Sequence, residues 1–368
     1  MKVALVHDYL NEYGGAERVL KTLTQMYPQA PIYTAFVVRN STAQKEFKDS
    51  KIIQSWLAPI LKIGKLYSPL RFLAPALWRS FDLSKYDLVI VSASWYLTKG
   101  FKVGPNTKVV CYCHTPPRYL YGFETSIQWQ KYWPVRLYAL VVNHFLRMFD
   151  YKEAQKIRYW IVNSKEVQGR VERIYHKKAQ VIYPPVAVEE IIAKTKNTAK
   201  ENFYLIVSRL VGAKGIEAAV EASSKLGFKL KIVGESAGFS ALFNNLTAKK
   251  LENVELLGRV PDEELYRLYA SAKGFIALAR QEDFGMTPVE SMAAGTPVLA
   301  FRGGGFKESV VEGITGVFVN EVNSKSLKIA LEKMEKIKWN KVEIQKQALN
   351  FSKEKFVDDF NKFIQGTT

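Results

Sequence analysis

The stretch GFIALARQEDFGMTPVESMAAGTPVLAFRGGG, residues 274 to 305, decides the fold. An apolar run (GFIALA) passes through a polar, glycine-bearing loop into a helical pattern, then through Gly295-Thr296-Pro297 into a second apolar run (PVLAF), the strand-loop-helix-strand grammar of a parallel α/β sheet. Two carboxylates flank the loop. Glu290 completes a T-x-x-E pattern with Thr287, which predicts a capping box with Pro288 at the first helical position. Capping does not account for Glu282, which sits in the loop between strand end and helix start, where open α/β sheets bind ligands. Gly285 permits close backbone approach, and the N–H groups of Phe284, Gly285, Met286 and Thr287 precede Pro288, which has none. The segment reads as an anion pocket at a helix N-terminus with a carboxylate on each side.

Working outward, the same alternation fills the chain. VALVHD, PIYTAF, YDLVIVS, KVVCYCH, YWIVNS and AQVIYPP are strand-like in the first half, with helical patterns at Gly15 to Met26 and Pro134 to Gln155. NFYLIVS, LKIVG, NVELLG, FIALA, PVLAF and GVFV repeat the design in the second half. The expected fold class is therefore α/β, two consecutive doubly wound domains, with residues 1–184 as the first domain and 185–345 as the second. The proline pair Pro184-Pro185 marks the boundary, and residues 346–368 form a terminal helix able to pack back on the first domain.

In the second domain, SRLVGAKG opens with Arg209 and Lys214, two cations suited to a diphosphate on the 282–290 loop. In the first domain, DYLNEYGGAER places Gly14 and Gly15 between a strand and a helix, and His114 stands at the end of KVVCYCH. No G-x-G-x-x-G, P-loop or D-x-D pattern occurs, so a diphosphate here is neutralised by Arg, Lys and helix ends. Cys111 and Cys113 fall two apart on one strand face and are expected as reduced, buried thiols; His114 beside them lacks the further ligands of a metal site.

The net charge of +18 is uneven: residues 1–183 hold 27 Lys and Arg against 12 Asp and Glu. An anionic partner for that half is implied. The basic residues are interleaved with apolar ones and form no reader motif, which argues against nucleic acid. No apolar run reaches membrane-spanning length and the N-terminus reads as a strand, so the expectation is a cytoplasmic protein. Lys51 to Arg79 has five basic residues and no acid among tryptophans, leucines and isoleucines, and suits an anionic membrane surface; Trp129 to Arg147 is a second such candidate.

These segments together resemble glycosyltransferase family 4, the retaining enzymes with two facing Rossmann-like domains (the GT-B fold). The resemblance rests on GGAERVL, CYCHTPPRYLYG, SRLVGAKGIEAAVEA, LGRVPDEELYRLYASA and the E-x₇-E segment EDFGMTPVESMAAGTPVLA. The histidine segment is most similar to bacterial O-antigen and exopolysaccharide mannosyltransferases acting on lipid carriers, although Tyr121-Gly122-Phe123 departs from their more acidic continuation. The resemblance implies that Arg209 and Lys214 hold the donor diphosphate, Glu290 the ribose and Glu282 the sugar hydroxyls, with Gly15 near the phosphates and His114 near the sugar. It also implies no metal and no cofactor, the nucleotide-sugar being a substrate, and a glycan or lipid-linked acceptor at the inner face of the cell membrane. A UDP-sugar in place of GDP-mannose, an epimerase of the same fold, and a nucleic-acid-binding protein are the alternative readings.

Overall fold

The computed structural model describes residues 1–63, 66–124, 133–235 and 252–367. The chain divides into two compact units, the first holding residues up to Phe123 and on to Pro185, the second running from Val186 to Phe356. The C-terminal helix Lys353–Gly366 begins in the second unit, and its residues from Val357 onward belong to the first.

The first unit is built on seven parallel strands: β1 (Val3–His7), β2 (Ile32–Thr34), β3 (Ile52–Gln54), β4 (Leu88–Ala93), β5 (Lys108–Cys113), β6 (Tyr159–Val162) and β7 (Gln180–Val181). Their order is β3-β2-β1-β4-β5-β6-β7. Helices cover the sheet, so β4, LVIVSA, is buried at every position and reads as a continuous run rather than an alternation. Cys111 and Cys113 lie in this core as free thiols, and burial pushes the Cys111 thiol up to about 12, which leaves it inert.

The second unit repeats the plan with β8 (Tyr204–Val207), β9 (Leu230–Val233), β10 (Val254–Gly258), β11 (Gly274–Ala277), β12 (Val298–Phe301) and β13 (Gly316–Val319), ordered β10-β9-β8-β11-β12-β13. In both sheets the order reverses beside the first strand, between β1 and β4 and between β8 and β11. A doubly wound sheet opens its ligand crevice at the carboxyl ends flanking that reversal. His7 closes β1, and the loops carrying Arg209 and Glu282 follow β8 and β11.

Two expectations need correction. β3 lies inside the Lys51 to Arg79 segment, and Leu57, Ala58, Leu61, Ala74, Leu77 and Trp78 of that segment are buried in the first unit's core, so it is largely structural. Trp56, Ile60, Ile63 and Phe72 do remain exposed, while Lys65 lies outside the described residues. The predicted capping box at Thr287 is absent. The helix there is Met286–Ala293 with Gly285 as its cap, two residues earlier than Thr287 would set it, and Glu290 faces a tyrosine instead of the backbone.

Candidate functional site

In the second unit three loops meet at the carboxyl edge of β8, β11 and β12. The turn after β8 carries Arg209, exposed and without a side-chain partner among the described residues, and Lys214 at the end of the short 3₁₀ turn Gly212–Lys214. The loop after β11 carries Glu282, whose Oε2 lies 2.5 Å from Lys214 Nζ. Glu282, which capping does not account for, thus has a partner within the protein itself, since Lys214 already neutralises it. The side chains are 22% and 19% exposed, so a good part of the lysine remains available to a second anion.

The β12 loop shapes this arrangement. Gly304 has φ +55° and its backbone lies so close to Glu282 that a Cβ would overlap the Glu282 carbonyl oxygen; Gly305 N–H donates to that same oxygen at 3.1 Å. Gly285, at φ +87°, turns the chain into the helix Met286–Ala293, where any side chain would overlap the Phe306 ring. The N–H groups of Met286 and Thr287 belong to the first helical turn and have no intrahelical acceptor. Anions are favoured there by those donors and by the helix dipole. Phe284 contributes structure as well as backbone, its ring buried against Phe351 at 5.4 Å. Glu290 is 6% exposed, and Tyr269 Oη–H donates to its Oε2 at 2.7 Å. Its Oε1 has no partner among the described residues and is available to a hydroxyl.

In the first unit, Gly14 caps the helix Gly15–Met26, and its N–H donates to Glu17 Oε2 at 3.0 Å, so the reciprocal half of a capping box is present here. His114 follows β5 and is buried; burial first, and the neighbouring His7 second, push its pKa down to about 4, so it is neutral near pH 7. Its Nε2 lies 2.8 Å from Ser92 Oγ, whose other neighbour is His7 Nδ1 at 3.0 Å. Next to His7, the buried Asp8 carboxylate accepts from Ser94 N and Oγ, Trp95 N, Tyr96 N and Thr98 Oγ1, which fixes the turn after β4. Sequence reasoning missed His7, Asp8, Glu17 and Ser92. Their only sequence signal is position, at strand ends or in the first helical turn, and it becomes legible once strand register pairs His7 with Ser92.

The segment after His114 is held by a long helix, Trp133–Lys156. Asn143 Nδ2 donates to Tyr119 O, Arg147 Nη1 to Leu120 O and Tyr121 Oη to Asp150 Oδ2, while Lys99 forms a buried ion pair with Asp150 at 2.6 Å.

A family model described as Glycosyltransferase Family 4 matches residues 13–190, and one described as Glycosyl transferases group 1 matches residues 187–354. The chain belongs to the family 4 glycosyltransferases of the GT-B fold. It is similar to the alpha-1,3/1,6-mannosyltransferase ALG2 of Dictyostelium discoideum, 26% identical over 282 residues, 65% of each chain. It is also similar to the O-antigen chain mannosyltransferase RfbU of Salmonella typhimurium, 24% identical over 238 residues, 63% of this chain and 66% of that one. Across curated relatives the chain spans from 11% to 66% of the relative's length. Among solved structures, Anabaena HepE in complex with UDP-glucose covers 100% of both chains at TM-score 0.69 and 18% identity, a likeness of fold.

Proposed function

We propose that this protein is a retaining hexosyltransferase that moves a hexose from a nucleotide-sugar to a glycan or lipid-linked acceptor. The observation that carries the reading is the convergence at one sheet edge of Arg209, Lys214, the helix N-terminus at Met286 and Thr287, and a buried Glu290 with one oxygen to spare. Two cations and a helix end suit a leaving diphosphate, and a carboxylate one turn further along suits a ribose diol. The chemistry breaks the bond between the anomeric carbon and the phosphate oxygen and forms one from that carbon to the acceptor oxygen. The acceptor proton passes to the departing phosphate oxygen on the same face. Preorganised charge on the leaving group is the main electrostatic help, and because protein cations supply it, EDTA should leave turnover unchanged.

GDP-mannose is the first choice of donor, supported by the mannosyltransferases ALG2 and RfbU. A UDP-sugar is the second, supported by the UDP-glucose complex of HepE. Incubation with GDP-mannose and with UDP-sugars, each with bacterial lipid extract, tests the assignment: nucleoside diphosphate release that needs both donor and extract is expected. Release without acceptor, with interconversion of the free nucleotide-sugar, would indicate an epimerase.

The acceptor side is proposed to work at an anionic membrane surface. No helix among the described residues is long and apolar enough to cross a membrane. The helix Trp133–Lys156 instead exposes Trp133, Leu137, Leu140, Val141, Phe145 and Met148, with Arg136, Arg147 and Lys152 also exposed, while its acidic residues Asp150 and Glu153 are buried. Apolar side chains with flanking cations and no exposed acid suit an interfacial helix. Trp129, in the same candidate segment, lies outside the described residues.

A further inference from the structure

The first unit contains a chain of polar groups, buried except for the partly buried Glu17 at one end, that the transfer chemistry above does not use. It runs from Glu17 Oε1 to His7 Nε2 (3.4 Å), from His7 Nδ1 to Ser92 Oγ (3.0 Å) and from Ser92 Oγ to His114 Nε2 (2.8 Å). Its members come from the helix Gly15–Met26 and three neighbouring strands or strand ends, with His7 and Ser92 register partners across β1 and β4. Ser92 pairs in turn with Tyr112 of β5, so residue 114, two positions on, returns to the same face. Exposure is 2% for His7, 1% for Ser92 and 8% for His114, which shields the chain from exchange with bulk water.

We infer that Glu17 sets the tautomer of His114, through His7 and Ser92, so that His114 carries its proton on Nε2 and offers the Nδ1 lone pair to a substrate hydroxyl. The direction follows from donor counting. A carboxylate only accepts. Glu17 Oε2 already takes the Gly14 N–H, and Oε1 takes a proton from His7 Nε2. A neutral His7 then has a bare Nδ1, which accepts from the Ser92 hydroxyl. Ser92 Oγ, having donated its proton, accepts from Nε2–H of His114. His114 Nδ1 has no partner among the described residues, and it is the end of the chain. A doubly protonated His7 would reverse every bond beyond it. That reversal would put the His114 proton on Nδ1, which the test below distinguishes.

Glu17, His7 and Ser92 are thus positioning residues, and the inference rests on the reading of His114 as a substrate-facing group. The Gly14 N–H on the second Glu17 oxygen also ties the proposed phosphate loop to the same carboxylate.

The test is nitrogen NMR on full-length protein labelled at histidine, of which there are four. Long-range proton–nitrogen correlation near pH 7 should show His114 with a protonated Nε2 and a bare Nδ1. Glu17→Gln can donate as well as accept while keeping the Gly14 cap, so both His114 tautomers should appear. Turnover should fall by about 10- to 100-fold, at or below the usual range for a positioned acid–base group, with donor KM little changed. Ser92→Ala interrupts the chain without altering charge and should lower kcat similarly. A wild-type His114 protonated on Nδ1 would overturn the inference, as would Glu17→Gln with an unchanged tautomer and kcat. Wild-type turnover in His114→Ala, with the tautomer as described, would locate the error in the reading of His114 instead.

Discussion

Lys214 Nζ and Glu282 Oε2 lie 2.5 Å apart, across 68 residues of sequence, at the carboxyl edge of β8 and β11. Under the proposed function each residue has two partners in turn, its neighbour in the free protein and a ligand group in the complex. Lys214→Ala should leave Glu282 facing the incoming diphosphate uncompensated, and donor KM should rise at least 10-fold. In Glu282→Gln, Lys214 keeps its charge, so KM should change little while kcat falls. Because both side chains are about a fifth exposed, the pair itself should contribute only about 1 kcal/mol to folding. Steady-state kinetics of both variants, with chemical denaturation alongside, checks the split.

The buried Glu290 is oriented by Tyr269. Tyr269→Phe removes that donor and should weaken nucleotide binding by several-fold, in keeping with about 1 kcal/mol for a typical hydrogen bond. Glu290→Gln should weaken it further, because the amide is a poorer acceptor for a ribose hydroxyl. Calorimetric titration with GDP and with UDP checks both; an unaltered Kd in Glu290→Gln would remove the ribose role.

At Gly304 a side chain would meet both a left-handed φ of +55° and the Glu282 backbone. Gly304→Ala should therefore cost about 1–3 kcal/mol of stability from strain, and donor binding should drop more than in a variant of equal stability loss placed in the first unit. Paired thermal unfolding and titration measurements check it.

His114 yields a pH prediction. Its native pKa, about 4, lies below the ordinary 6.5, so protons enter the unfolded chain first as pH falls. The stability from keeping the imidazole neutral is fully present above about pH 6.5 and is lost as pH drops toward 4. Relative to His114→Gln, which does not titrate, the wild type should lose about 3 kcal/mol between pH 7 and pH 4, at 1.36 kcal/mol for each unit of difference. Denaturant melts of both proteins across that range give the number directly.

Membrane docking is checked by vesicle flotation. Wild-type protein should float with phosphatidylglycerol vesicles and not with phosphatidylcholine ones, more weakly at high salt. Leu140→Gln with Phe145→Gln should lower the bound fraction without altering turnover on a water-soluble acceptor analogue. Equal recovery with both lipids would point to a soluble acceptor.

Most of the architecture was legible because parallel strands buried on both faces are apolar runs, and those at Leu88–Ala93 and Val298–Phe301 announce themselves. β3 was not legible. Ile52, Ile53 and Gln54 are three residues at a sheet edge, embedded in a basic, aromatic stretch whose overall composition suited a lipid surface. Thr287 and Glu290 have the local pattern of a capping box, but Gly285 starts the helix earlier, and Tyr269 from another helix takes the carboxylate. The loop residues at 209, 214, 282 and 285 were readable because glycine and charge at a strand end are local features. The chain from Glu17 to His114 was not, since it depends on the register of strands whose partners are 85 residues apart.

The central claim, a nucleotide-sugar site at the β8, β11 and β12 edge, is tested most directly by the thermal shift of the full-length protein with GDP-mannose, UDP-glucose and their nucleoside diphosphates. One donor at about a hundred times its Kd should stabilise the protein by about 2.7 kcal/mol, and Arg209→Ala with Lys214→Ala should abolish that shift while lowering the unliganded melting temperature by no more than the loss of the Lys214–Glu282 pair, about 1 kcal/mol, allows. Stabilisation by no nucleotide-sugar, or an undiminished shift in the double variant, would contradict the account.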